Sequence, residues 1–288
     1  MESLFITIED WFRGILISGI MNNLAGTFDS VNYQVGQIAT EVGKTPATFS
    51  PGVFQMIKTL SENVIMPIAG IILTFIACYE LIQLVISHNN LANFETWIFF
   101  KWVFKTFLAV LLITNTMNIT MAVFDVAGHV VASSGGLIQE STDVDIYTYE
   151  AIQDVLNASE TGELFSIFLQ SFVIQFIIYI LAALIFVIVY ARMIEIYLMV
   201  SLAPIPFATF GNKEQSMMGQ NYVRSLFALG FQGFLIMVCV GIYAVLIQAI
   251  AVDTDIIGSM WKVMGYSILL CFTLFKTGSV AKSILHAH

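Results

Sequence analysis

The chain has 288 residues, of which 58% are hydrophobic and 11% charged, with a formal net charge of −9 and a mean hydropathy of +0.86. Soluble domains hold about 45–50% apolar and about 25% charged residues, so a soluble globular protein is excluded. A hydrocarbon core of about 30 Å needs roughly 20 mainly apolar residues per helix, and the chain holds several such runs.

The first segment, "LFITIEDWFRGILISGI", repeats Leu4, Ile8, Trp11, Phe12 and Ile15 at helical spacing, with Glu9, Asp10 and Arg13 elsewhere on the wheel. This is the pattern of an amphipathic helix lying at a membrane interface, or else of a helix packed on a bundle. Glu2 stands where a signal peptide carries positive charge and no small-residue cleavage site follows, so a cleavable leader is not expected. Region 1–62 is read as an external N-terminal region.

Region 63–117 is expected to form a first transmembrane hairpin from spans at 63–87, "NVIMPIAGIILTFIACYELIQLVIS", and 97–117, "WIFFKWVFKTFLAVLLITNTM". Glu80 and Lys105 fall at similar depths of two antiparallel helices, with Lys101 one turn nearer the inner boundary. Charge at such depth is costly, so Glu80 is expected to pair with Lys101 or Lys105, unless the lysines snorkel to the headgroups. Residues 118–163 carry no Lys or Arg but hold Asp125, Glu140, Asp143, Asp145, Glu150, Asp154, Glu160 and Glu163, and read as an acidic external loop.

Region 164–288 supplies three further spans, at 164–190, 225–251 and 257–278, joined by a cytoplasmic loop at 191–224. After Tyr190 come Arg192 and Glu195, spaced i,i+3 and able to pair on one helix face. The third helix is expected to leave the inner leaflet there, and Pro204 and Pro206 to end it by removing amide donors and driving Ala203 and Ile205 from helical angles. "FATFGN" then reads as a short apolar element returning to the membrane surface, stopped by Gly211 and Asn212. A proline kink within a span is the other reading. The loop beyond joins Lys213 and Arg224 to Met217 and Met218, adaptable side chains suited to a partner surface. Gly230, Gly233 and Gly241 let helices approach closely, within the chain or between copies.

Every span is expected to be α-helical, because helices satisfy their own backbone groups in lipid and the alternation of a membrane barrel is absent. With five spans and the N-terminus outside, Lys101, Lys105, Arg192, Lys213, Arg224, Lys276 and Lys282 lie on the cytoplasmic side, leaving only Arg13, Lys44, Lys58 and Lys262 outside. Basic residues are retained inside. A sixth span at 190–210 reverses that balance, so five spans fit better. Cys78, Cys239 and Cys271 lie within spans and imply no disulfide framework.

No metal-ligand spacing or catalytic motif is present: His88, His129, His286 and His288 stand apart except for a terminal "HAH", and no HExxH, GxSxG or GxxxxGK[ST] occurs. Neither catalysis, a cofactor nor a metal is expected, and energy would come from a partner.

"SLAPIPFATFGNKEQSMMGQNYVRSLFALGFQGFLIMVCVGIYAVLIQ" resembles the signature region of TrbL-like conjugal transfer proteins, polytopic membrane subunits of type IV secretion systems, in the branch carried by conjugative elements of Gram-positive bacteria. The resemblance implies an external N-terminus, about five spans, a cytoplasmic C-terminus in the bacterial cell membrane, and membership of the platform that moves single-stranded DNA or protein. It also implies secretion ATPases and other transfer subunits as partners. The spans carry too few polar residues for one copy to form a DNA channel, so a conduit requires a homo-oligomeric ring, with lipid or other subunits at its centre and the nucleic acid met only indirectly. A small-molecule transporter or a purely structural scaffold are the competing readings.

Overall fold

The computed structural model describes residues 2–87, 96–139, 147–212, 214–251 and 256–287, and among them all regular structure is helical. In chain order the helices are α1 (Glu2–Gly43), α2 (Pro46–Phe49), α3 (Pro51–Leu60), α4 (Met66–Ser87), α5 (Thr96–Thr114), α6 (Thr116–Gln139), α7 (Tyr147–Ala158), α8 (Thr161–Leu202), α9 (Pro204–Ala208), α10 (Ser216–Ala251) and α11 (Ile256–Ile284). Five stretches are long and apolar enough to cross a membrane: Pro51–Ile86, Trp97–Thr114, Thr161–Leu202, Ser216–Ile250 and Ile257–Ile284. The protein is an all-α, polytopic membrane protein.

Several elements exceed their sequence expectations, each for a local reason. The first crossing helix starts at Pro51 because α3 runs into α4 through a π turn, Ser61–Ile65, in which the Met66 amide bonds the Ser61 carbonyl. Pro67 cannot donate to the carbonyl of Asn63 and its ring presses on it, and a widened turn relieves that clash. The region expected as an acidic loop, 118–163, carries most of α6 and all of α7. Backbone bonds run on through Asn115, from its amide to Leu111 and from the Ile119 amide to its carbonyl, so α6 continues from α5. Met117, Thr120, Phe124, Ala127 and Val131 are buried at alternating spacings of three and four, while Asp125 stays exposed. Burial of that stripe outweighs the acidic composition. Glu140, Asp143 and Asp145 lie outside the described residues.

Two compact units divide the chain, residues 1–42 with 131–189 and 235–277, and residues 43–130 with 190–234 and 278–288. They cut across the linear regions 1–62, 63–117, 118–163 and 164–288, because α6, α8, α10 and α11 each contribute to both. The 42 residues of α8 measure about 63 Å at 1.5 Å per residue, about twice a hydrocarbon core.

In the first unit, α1 lies parallel to α8. Arg13 donates to the Asn157 carbonyl at 3.0 Å, Thr161 donates to Glu9 at 2.9 Å, and Asn23 donates to Ser171 at 2.9 Å. Gly19 and Gly26 leave room for Phe168 and Gln175; a Cβ on either would come within 2.5 Å of those side chains. The N-terminal helix therefore extends well past the amphipathic segment, whose Ile8, Trp11, Phe12 and Ile15 remain exposed. In the same unit α10 and α11 pair antiparallel, with Tyr243 and Ser267 hydroxyls 2.6 Å apart.

The second unit has a core in which Leu73, Ala109, Ile113, Phe124, Ile196, Val200, Phe207 and Leu226 meet. Tyr197 ties it to the α2 segment by donating to the Pro46 carbonyl at 2.7 Å.

Candidate functional site

The second unit contains the one strong interruption that the sequence marks. Helix α8 ends at Leu202 with a tightened turn, Ala203 N to Val200 O at 3.3 Å. Ala203 itself stays helical, at φ −50° and ψ −38°, which corrects the expectation that the prolines drive it from helical angles. Pro204 instead opens the short helix α9, where its missing amide is one of the donors that a helix start leaves free anyway. A 3-10 turn, Thr209–Gly211, follows, and Asn212 is extended at φ −125° and ψ 137°. The Asn212 side chain accepts the Glu214 amide at 2.7 Å and its carbonyl accepts the Ser216 amide at 2.9 Å, which starts α10. Its first turns run back along α8: the Tyr222 hydroxyl donates to the Met199 carbonyl at 2.8 Å.

This hook is locked from inside. Thr209 Oγ1 donates to the Pro206 carbonyl at 2.7 Å and accepts the Gly219 amide at 3.0 Å. A Cβ on Gly219 would stand 2.8 Å from that same carbonyl, so only glycine permits the approach. Phe207 sits 5.8 Å from both Phe210 and Tyr222, ring to ring.

The hook also packs on α4 and α5. A Cβ on Gly211 would lie 3.0 Å from Leu73 and 3.7 Å from Ile76 and Ala109, residues midway along the two helices. The "FATFGN" element thus rests against the middle of the first hairpin. Protein covers this irregular stretch: Phe207, Ala208 and Thr209 are buried.

Charged side chains frame this bundle. Lys105 Nζ donates to Glu80 Oε1 between α5 and α4, whereas Lys101 is exposed. Arg192 is buried, 5% exposed, and its guanidinium donates to the Leu229 carbonyl at 3.3 and 3.2 Å and to the Gly230 carbonyl at 3.5 Å. A helix carbonyl keeps a second lone pair beyond its own backbone bond, so α10 can serve both. Glu195 does not join Arg192 on the α8 face as its spacing allows; it accepts Lys282 Nζ of α11 at 2.8 Å. The reason is register. Ile188, Arg192, Ile196 and Val200 form one buried stripe of α8, and Glu195 lies beside it.

The remaining expected residues distribute as follows. Gly230 meets Ala127 of α6, where a Cβ would lie 3.0 Å from the alanine methyl; Gly233 is buried and Gly241 half-buried. The expected loop 211–224 is mostly helix, since α10 begins at Ser216. Met217 and Met218 are 70% and 58% exposed on its first turn, Arg224 is exposed, and Lys213 lies outside the described residues. The close approach at Gly219 and the pairing of Lys282 with Glu195 were not expected from the sequence, which named Gly211 only as a stop to the apolar element. Two glycines bracketing "NKEQSMM" were the available signal for a close turn, and nothing local marks Lys282. Among the described residues no group of three His, Cys, Asp or Glu side chains forms that could hold a metal ion.

Five apolar crossing helices with a protein-covered hook define a multi-pass membrane protein. Residues 31–204 match the family described as TrbL/VirB6 plasmid conjugal transfer like protein, more than half of the chain, and the protein belongs to that family. It is thereby a membrane component of a conjugal transfer, type IV secretion, system, a family of structural components rather than of known enzymes. No curated protein and no solved structure matches the chain.

Proposed function

We propose that this protein is a platform or channel subunit of the secretion machine, acting as a homo-oligomer with its N-terminus outside and its C-terminus in the cytoplasm. In this reading the hook is the coupling element. A cytoplasmic secretion ATPase docks on Met217, Met218 and Arg224, and Gly219 and Tyr222, within about one and a half turns of the methionines on α10, carry the contact into Phe207, Thr209 and the α4–α5 hairpin. Translocated DNA or protein meets the assembly as a whole, not a site on one copy.

The observation that supports it is the burial of the hook between α8, α10 and the first hairpin, directly beside the exposed methionines. Packed elements of this kind have discrete arrangements rather than a continuum, so a docked partner can bias them. The test is site-specific photocrosslinking from position 217 in mating cells, with transfer frequency scored for Met217→Asp/Met218→Asp. Crosslinks to an ATPase, and a fall in transfer at unchanged protein level, are the expected results. Crosslinks only to lipid, with normal transfer in the double variant, overturn the docking role.

A further inference from the structure

A groove of about 440 Å³ opens between α4 and α5, lined by Gly70, Thr74, Cys78, Trp102, Thr106 and Val110 among others. We propose that it holds one acyl chain of an anionic phospholipid, whose phosphate meets Lys101. The volume lies in the range of about 300–1,000 Å³ found for small-ligand sites.

The groove's chemistry is apolar despite its threonines. Thr74 donates its hydroxyl to the Gly70 carbonyl and Thr114 to those of Val110 and Leu111, so these two hydroxyls are satisfied on their own helices. At one end the groove is closed by Trp102, whose Nε1 donates to the Ala77 carbonyl at 3.1 Å. From Trp102 to Thr114 the lining runs twelve residues along α5, about 18 Å at 1.5 Å per residue. Half of a hydrocarbon core is about 15 Å. The groove therefore has the length of one leaflet, which fits a lipid chain.

Charge selects the headgroup. Lys105 is neutralised by Glu80, whereas Lys101, one turn earlier and adjacent to Trp102, is exposed and has no carboxylate partner among the described residues. The tryptophan end of the groove thus adjoins a lysine that has no carboxylate partner among the described residues. A lysine near an anionic headgroup contributes about 1 kcal/mol, which is about a five-fold preference.

Gly70 makes the proposal testable. A Cβ there would meet nothing within 4 Å, so a side chain at position 70 starts in open space, and Gly70→Phe is the variant that occupies the groove. The full chain in detergent is equilibrated with equimolar phosphatidylglycerol and phosphatidylcholine, and retained lipid is counted by native mass spectrometry. The expected results are one retained phosphatidylglycerol with about five-fold preference, loss of the preference in Lys101→Gln, and loss of the lipid in Gly70→Phe. Equal retention of the two lipids by the wild type overturns the proposal, as does an undiminished lipid in Gly70→Phe. The first comparison and Lys101→Gln are read whether or not the bulky variant accumulates. A disulfide or bismaleimide crosslink from Cys78 to another protein chain, in a Cys239→Ser/Cys271→Ser background, would instead assign the groove to a helix and also overturn it.

Discussion

Two sites in the second unit solve the same problem differently. At the first hairpin, Glu80 and Lys105 meet across two helices and cancel each other. On the inner stripe of α8, Arg192 is held by backbone, the carbonyls of Leu229 and Gly230. A side-chain pair can be swapped or deleted as a unit. A guanidinium seated on helix carbonyls cannot, because its acceptors belong to the fold itself. The difference teaches that charge in this chain has two roles: one pair joins two neighbouring helices, and one arginine fixes the register of α8 against α10.

The largest effect should come from inverting the buried charge. Arg192→Glu aims a carboxylate at carbonyl oxygens, two acceptors with no proton between them, inside a packed core. Removing compensation from a buried charge costs about 3–5 kcal/mol, enough to prevent accumulation of the chain in membranes. Arg192→Lys keeps the charge but loses the fork that reaches both carbonyls, and its loss should be smaller, measured as a lower midpoint in SDS unfolding. Normal accumulation of Arg192→Glu would show that the guanidinium does not set the packing.

Next in size is the hairpin pair. Glu80→Lys leaves three lysines near one depth, and an unpaired charge at the centre of a membrane helix costs about 2.5–3.5 kcal/mol on insertion scales. Since Lys105 is 36% exposed along its side chain and Glu80 15%, part of that cost is relieved by snorkelling. The decisive arm is the swap: Glu80→Lys combined with Lys105→Glu should recover most of the lost accumulation, while no equivalent swap exists for Arg192. A swap that recovers nothing would remove the contrast between the two sites.

The same contrast explains what could be read from the sequence. Five crossing helices, the break at Pro204 and the nearness of Glu80 to Lys105 follow from run length, proline chemistry and the depth arithmetic of a short antiparallel hairpin. The Leu229 and Gly230 carbonyls that Arg192 reaches lie 37 and 38 residues away, and no residue type announces them. Its place on the buried stripe was legible in principle, because Ile188 and Ile196 flank it four residues to either side. The spacing of Met117, Thr120, Phe124, Ala127 and Val131 likewise marked α6, but the absence of basic residues in 118–163 drew the reading toward a loop. The α1–α8 seam was hidden for another reason. Gly19, Asn23 and Gly26 acquire meaning only once Phe168, Ser171 and Gln175 are opposite them.

A third prediction tests how closely α10 must lie to α6 for Arg192 to keep its seat. Gly230 both presents a carbonyl to Arg192 and lies so close to Ala127 that a Cβ would stand 3.0 Å from its methyl. Gly230→Val overfills that contact and should cost about 1–2 kcal/mol. Adding Ala127→Gly makes room and should recover part of it, although the new glycine lowers the helix propensity of α6. Recovery in the double variant, measured by the same SDS midpoints, ties the cost to the α6–α10 contact. Full additivity would place it elsewhere.

The smallest effect belongs to Lys282 and Glu195, and it sharpens the comparison from the opposite side. Their Nζ–Oε1 distance is 2.8 Å, as good as any ion pair, but the two side chains are 44% and 45% exposed. Exposed pairs gain little, since water already solvates both charges and two long side chains must be immobilised, so the contribution should be below about 1 kcal/mol. Lys282→Ala should therefore shift the unfolding midpoint only slightly, and the shift should shrink further in high salt. Arg192 lies one turn from Glu195 on the same helix, yet its variants should show no comparable salt dependence, because its acceptors are buried carbonyls. A large, salt-insensitive loss in Lys282→Ala would mean that α11 is pinned to α8 by this pair as firmly as α10 is by Arg192, and the division between exchangeable pairs and backbone-held charge would fail at its weakest member.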